Sequence, residues 1–172
     1  MSATYEPIES VTLTSDVAGV TFDAIAPDWT DLVVSASLRS NESPPHHQIR
    51  VSVNGLSGGT YSSTLLYGDG SAAGSGRYPN MPDKIEPQFI PGVNDPAGLF
   101  GISTWNFMSY ANTNVYKTIL VSETHVGVVP YRSVYLARTT QAITKISFEA
   151  SRAQGALVAG STLSLFGIKA AP

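Results

Sequence analysis

Apolar and polar residues alternate with a period of two along most of this chain. Leu32, Val34, Ala36 and Leu38 alternate with Asp31, Ser35, Ser37 and Arg39, the pattern of a strand with one face on a core. Ile49, Val51 and Val53 alternate with Arg50 and Ser52 and run into Asn54-Gly55, a dipeptide that favours tight turns. Tyr61, Ser63, Leu65 and Tyr67 follow, before the break Gly68-Asp69-Gly70. Further strands are expected around 98–108, 115–122, 132–139, 142–148 and 162–168. In the last of these the apolar phase slips, with Leu163 and Leu165 on one face and Phe166 and Ile168 on the other. Either Gly167 marks a bulge there or the strand is covered on both sides.

No segment carries the 3.6-residue period of an amphipathic helix. The nearest candidate, 151–159, is Ala-rich but contains Gly155 and reads as a loop or single turn. Strands at roughly ten-residue spacing with Gly, Pro, Asn and Asp between them predict an all-β fold, an antiparallel two-sheet sandwich of jelly-roll type. Residues 1–172 are expected to form one such domain, preceded by a short extended N-terminal segment. Three stretches read as loops. Residues 39–48 contain Pro44 and Pro45, which lack the N–H that a sheet interior needs. Residues 68–85 are Gly- and Ser-rich and then broken by Pro79 and Pro82, and 87–96 is turn-rich.

Composition shifts attention from chemistry to surfaces. Charged residues are only 13% of the 172, against 42% hydrophobic, about half the charge of an ordinary soluble domain. Interface cores are depleted in Lys, Glu and Asp, so an oligomer is expected. The net charge of −3 and the lack of a basic cluster argue against nucleic acid as a partner. There are no cysteines, which excludes disulfides, a thiolate nucleophile and Cys-based zinc sites. No apolar run approaches the ~18 residues of a membrane-spanning helix, and the N-terminus lacks the pattern of a secretory signal.

Candidate chemical groups are few. His46 and His47 are adjacent on an extended loop, so their side chains point to opposite sides, and no third ligand lies nearby; they read as a solvent-facing pair rather than a metal site. His125 is distant in sequence. Asp23, Asp28 and Asp31 flank Pro27 and Trp29 without the spacing of a calcium loop, and read as turn and strand-flank residues. Nucleophile-elbow, phosphate-loop and His-Glu-x-x-His patterns are missing. Catalytic, cofactor and metal residues are therefore expected to be none. Tyr67, Tyr78, Trp29 and Trp105 are the aromatic pool for sugar stacking, with Trp105 expected in the core. In the 68–85 segment, Arg77, Tyr78 and Met81 are the side chains suited to anchor a contact, since Arg, Tyr and Met are enriched at interfaces.

The chain's motifs, in order, resemble those of small all-β structural proteins of tailed-bacteriophage virions. Tyr5-Glu6-Pro7-Ile8-Glu9-Ser10-Val11-Thr12-Leu13 followed by Val20-Thr21-Phe22 and Ile25 is similar to that family's opening. Trp29-Thr30-Asp31-Leu32-Val33-Val34, Leu66-Tyr67-Gly68-Asp69-Gly70-Ser71 and the run from Phe107 through Asn112-Thr113-Asn114 to Lys117-Thr118 match later motifs. So does Thr140-Gln141-Ala142-Ile143-Thr144-Lys145-Ile146. The end, Gly160-Ser161-Thr162-Leu163-Ser164-Leu165-Phe166-Gly167-Ile168-Lys169, resembles the family's terminal signature.

The resemblance implies a non-enzymatic virion protein, made in the host cytoplasm. It would assemble with itself, as a trimer, and with other capsid or tail proteins. Two roles are open. A fibre or receptor-binding role would turn loops 40–48, with His46 and His47, and 68–84 toward a host surface glycan. A capsid-decoration role would clamp neighbouring subunits through the N-terminal strand and sheet edges. The alternative from another class is a stand-alone carbohydrate-binding lectin or glycan-active enzyme. No membrane insertion is expected.

Overall fold

Each of the period-two segments is a strand in the computed structural model, which describes residues 5–43, 47–81, 85, 89–124, 130–150 and 155–169. In chain order these are β1 (Tyr5–Thr12), β2 (Gly19–Phe22), β3 (Asp31–Leu38), β4 (His47–Val53), β5 (Tyr61–Gly68) and β6 (Ala73–Met81). β7 (Phe89–Ile90), β8 (Gly101–Met108), β9 (Lys117–Thr124), β10 (Pro130–Ala137), β11 (Ile146–Ala150) and β12 (Thr162–Ile168) follow. No helix occurs among the described residues. Every ladder is antiparallel, in one sheet of order β1-β12-β3-β8-β9-β10-β5-β6 and a second of order β2-β11-β4-β7.

The pairing has a nested logic. β1 pairs with β12, β2 with β11, β3 with β8 and β4 with β7, as in one long hairpin folded back on itself. Lateral pairs β12·β3 and β11·β4 then close the hairpin into two facing four-stranded sheets, which is a jelly roll. The remaining strands are two inserted hairpins, β5–β6 between β4 and β7 and β9–β10 between β8 and β11. β9–β10 adds to the free edge of β8 and β5–β6 adds to β10, widening the first sheet to eight strands.

The core lies between the sheets. Trp105 of β8 stacks on Tyr135 of β10 at 6.4 Å and meets Phe148 of β11 edge-on at 5.4 Å; Phe148 in turn meets Phe22 of β2. Tyr61 ties the sheets polarly: its hydroxyl accepts the Val53 N–H at 3.0 Å and donates to the Val53 carbonyl. Asn54 and Gly55 both take the left-handed conformation. Asn54 Oδ1 accepts the N–H groups of Thr144 and Lys145 while its Nδ2 donates to Ala142 O, so this turn anchors the approach to β11.

Three expectations are corrected. The segment 68–85 is not a long loop, because Ala73–Met81 is the edge strand β6, paired with β5. Its glycines had masked it: an added Cβ at Gly74 would sit 2.5 Å from the Tyr67 ring, and at Gly76 it would touch Leu65, so these glycines lie beneath side chains leaning over from β5. Pro79 is tolerated because the strand is an edge and its ladder shifts register between Tyr61 and Ser63. Second, the loop beginning at Arg39 ends before His47, which opens β4 opposite Ile90. Third, of the two readings of the last strand the bulge at Gly167 is not found: Gly167 is in regular register, and the irregularity lies across from it, in β1 between Pro7 and Glu9. A Cβ on Gly167 would fall 2.2 Å from the Trp29 indole, which covers the strand there and donates from Nε1 to Glu6. The 151–159 stretch is described from Gly155 onward and is non-helical.

Candidate interaction surface

The inserted hairpins determine what the wide sheet shows to solvent. Pairing registers set outward rows across β8, β9, β10, β5 and β6. One runs Asn106, Leu120, Val134, Thr64, Arg77; the next runs Thr104, Ser122, Arg132, Leu66, Ser75. Leu66 is 59% exposed, Ile102 60% and Val134 47%, although strand alternation would ordinarily place polar residues on a solvated face. Apart from arginines, these rows hold apolar, hydroxyl and amide side chains and no carboxylate.

Two depressions open on this face. The first, of about 290 Å³, is floored by Leu66, Leu120 and Val134, with Arg132 at its side; Arg132 donates to Ser122 Oγ. The second, of about 310 Å³, lies where β10, β5 and β6 meet and is lined by Ser62, Thr64, Arg77, Tyr78, Leu136 and Arg138 among others. Arg138 is held by neutral acceptors: Ser62 Oγ at 3.1 Å, Gly59 O at 3.3 Å and Pro79 O at 3.4 Å. Among the described residues, no hydrogen bond or ion pair engages the Arg77 guanidinium.

On the other side of the same hairpins lies a buried acid. The inward face of β9 reads Lys117, Ile119, Val121, Glu123, and Glu123 is only 7% exposed. Burial pushes its carboxyl up to about 8, although the Phe89 N–H hydrogen-bonds to it, so it is protonated at neutral pH. Among the described residues no other carboxylate contributes to this shift. Tyr131 pairs with Glu123 across the ladder, and its ring packs at 5.6 Å from both Tyr67 and Phe89. Lys117 is buried too, its ammonium donating to the carbonyls of Asn112 and Val115, and burial lowers its pKa.

The residues singled out from sequence separate. Arg77 and Tyr78 both lie on a strand rather than a loop: Arg77 faces the larger depression, whereas Tyr78, which pairs with inward-facing Ser63, turns to the other face of β6. Met81 turns inward, 6% exposed and packed in the core opposite Tyr61, so it is not an anchor for a partner. His46 lies outside the described residues, as do His125 and the 82–84 part of the expected contact loop. Asp31 and Asp23 serve local geometry: Asp31 accepts the Ser109 N–H and Asp23 the Ala24 N–H. Trp105 is fully buried, while Tyr67 and Tyr78 are 40% and 44% exposed. Among the described residues no group of three or more His, Cys, Asp or Glu side chains converges as a metal site, and no helix is long and apolar enough to cross a membrane.

Sequence reasoning missed Arg132, Arg138 and Glu123. A signal for Glu123 was available, as it occupies an in-phase position of the otherwise apolar β9 face. The arginines acquire meaning only from cross-strand register. No protein-family model and no curated protein matches the chain.

Proposed function

We propose that this protein is a non-enzymatic structural component of a tailed-phage virion, displayed on the particle surface as a symmetric oligomer, most simply a trimer. The observation that carries this reading is the outward face of β8, β9, β10, β5 and β6, which has no carboxylate among its described residues and leaves Leu66, Ile102 and Val134 exposed. Five strands at ~4.8 Å spacing and eight residues at ~3.3 Å give a flat area of roughly 600 Å². With the adjoining strands of the sheet this reaches the ~800 Å² per partner of a stable interface. The order of motifs shared with phage virion proteins supports the particle as its location, and jelly rolls serve in both capsid and lectin domains.

Light scattering on the purified chain is expected to give a multiple of the 18.2 kDa monomer, and antibody labelling is expected to mark intact particles. Changing Leu66 and Leu120 together to Ser removes exposed apolar side chains, so the variant is expected to fold but dissociate. A monomeric wild type that is also absent from purified particles overturns the reading. Head or tail labelling then separates the decoration role from the receptor-binding role.

A further inference from the structure

We propose that the depression between β10, β5 and β6 is a binding site for an acidic saccharide, a sugar carrying a carboxylate or a phosphate ester. The inference deepens the receptor-binding form of the function proposed above, and rests on that reading for the bearer of the sugar, a host-cell surface.

The site combines what such a ligand requires. Arg77 projects at the rim with no partner among the described residues, and Arg138 is met only by neutral oxygens at 3.1–3.4 Å. Guanidinium groups bind carboxylate and phosphate oxygens through paired, charge-assisted hydrogen bonds. The two arginines are neighbours in space. Arg138 reaches the carbonyl of Pro79, and Arg77 stands two residues from Pro79 along the same strand, a spacing of ~7 Å. One anionic group therefore fits between them.

The rest of the lining suits a pyranose ring. Val134 and Leu136 supply an apolar floor for its C–H face, and Ser62 and Thr64 supply hydroxyls. The volume of about 310 Å³ lies at the small end of ligand pockets, suited to one or two sugar units. The positioning is pre-formed, because Arg138 is held by Gly59, by Ser62 of β5 and by Pro79 of β6, and edge strand β6 is locked by Tyr67 over Gly74.

A protein copy is the competing occupant, since an acidic patch of a second chain would also satisfy two arginines. The sugar is favoured because this depression is lined by hydroxyls beside both arginines, whereas the depression around Leu66 and Leu120 has the more apolar lining, where burial by a second copy gains most.

The test titrates the intact protein with 3′-sialyllactose and glucose 6-phosphate, following backbone amide shifts, with lactose, glucose and inorganic phosphate as comparisons. Acidic sugars are expected to shift Ser62, Thr64, Tyr78 and Leu136 at millimolar concentration, with neutral sugars at least about tenfold weaker. Whichever acidic probe binds tells a carboxylated from a phosphorylated source. Arg77→Gln is expected to weaken binding about tenfold, the loss of one charge-assisted pair, with an unchanged melting temperature because Arg77 holds nothing in the fold. Arg77→Lys keeps part of the affinity. Equal binding of neutral and acidic sugars, equal binding of inorganic phosphate, or no binding up to about 10 mM overturns the proposal.

Light scattering on the same samples keeps the two proposals apart. If wild type binds no sugar and Arg77→Gln dissociates an oligomer, the arginines serve a subunit contact and this inference falls while the assembly reading stands. If a monomeric wild type binds acidic sugar, the assembly reading falls and the site stands.

Discussion

Glu123 offers the sharpest test of the packing described here, because its cost depends on pH. The carboxyl lies on the inward face of β9 with a single hydrogen bond from the Phe89 N–H, and burial raises it from 4.5 to about 8. Below pH 4.5 it is protonated in both folded and unfolded chains and adds no pH dependence. Between 4.5 and 8 the unfolded chain ionises while the folded chain keeps its proton, so folding takes up a proton and stability falls as pH rises. The loss reaches about 3 kcal/mol at pH 7 and about 5 kcal/mol above pH 9, at 1.36 kcal/mol per pH unit.

Glu123→Gln removes the titration while keeping an oxygen to accept the Phe89 N–H. Urea unfolding followed by the fluorescence of buried Trp105 is expected to give similar stabilities for the two proteins at pH 5. At pH 9 the Gln variant is expected to be the more stable by several kcal/mol. Glu6 and Asp69 have lowered pKa values; the stability they contribute is lost only as pH falls through the acid range, and it cancels between the two proteins. Parallel stability curves from pH 5 to pH 9 refute the argument. A Gln variant weaker at every pH shows instead that the charged carboxylate is compensated by a partner that favours the anion.

Two further substitutions probe the strands that carry the terminal and turn motifs. Gly167→Ala places a methyl 2.2 Å from Trp29 and expels the indole from Glu6, for an expected loss of about 2–3 kcal/mol with a red shift in fluorescence; a loss under about 0.5 kcal/mol shows that Trp29 is not what requires the glycine. Asn54→Gly keeps the left-handed turn but removes four hydrogen bonds, and is expected to cost about 2 kcal/mol in urea unfolding, with Asn54→Ala about 1 kcal/mol worse from backbone strain. Equal effects of Gly and Ala assign the whole cost to the side chain.

Period-two alternation carried the sandwich, because a strand with one buried face writes its geometry directly into the order of residues. That is why β3, β4, β5, β8, β9 and β10 were legible. β6 was not, since its inward positions are Gly74 and Gly76, and the apolar groups that cover them belong to Tyr67 and Leu65 of β5. Met81 was misplaced for the same reason: a residue read as the tip of a loop is the inward end of a strand. The terminal Gly-Ile-Lys motif was visible as a pattern, but its cause, the Trp29 indole lying across β12 with Glu6 joined to Lys169, involves segments far apart in sequence. The arginine site is least legible of all. Arg77 and Arg138 lie on different hairpins, and only the β10–β5–β6 register brings them to one depression.

The way the edges are finished argues for association through the face. A simple jelly roll would end its first sheet at β8, a regular strand able to pair with another chain. Here the inserted hairpins cover β8 and move the edge out to β6, where Pro79 and a register shift interrupt the ladder. The opposite edge, β1, carries Pro7 and its own irregularity before Glu9. In the second sheet the edge strand β2 has four residues and β7, among the described residues, two, short templates for a partner. All four edges are thus poor at strand addition, a route that would extend a sheet without closing. The hairpins that blunt β8 also build the arginine depression and the carboxylate-free face proposed above as the assembly surface, and a face that closes on itself would suit closed rather than open-ended association.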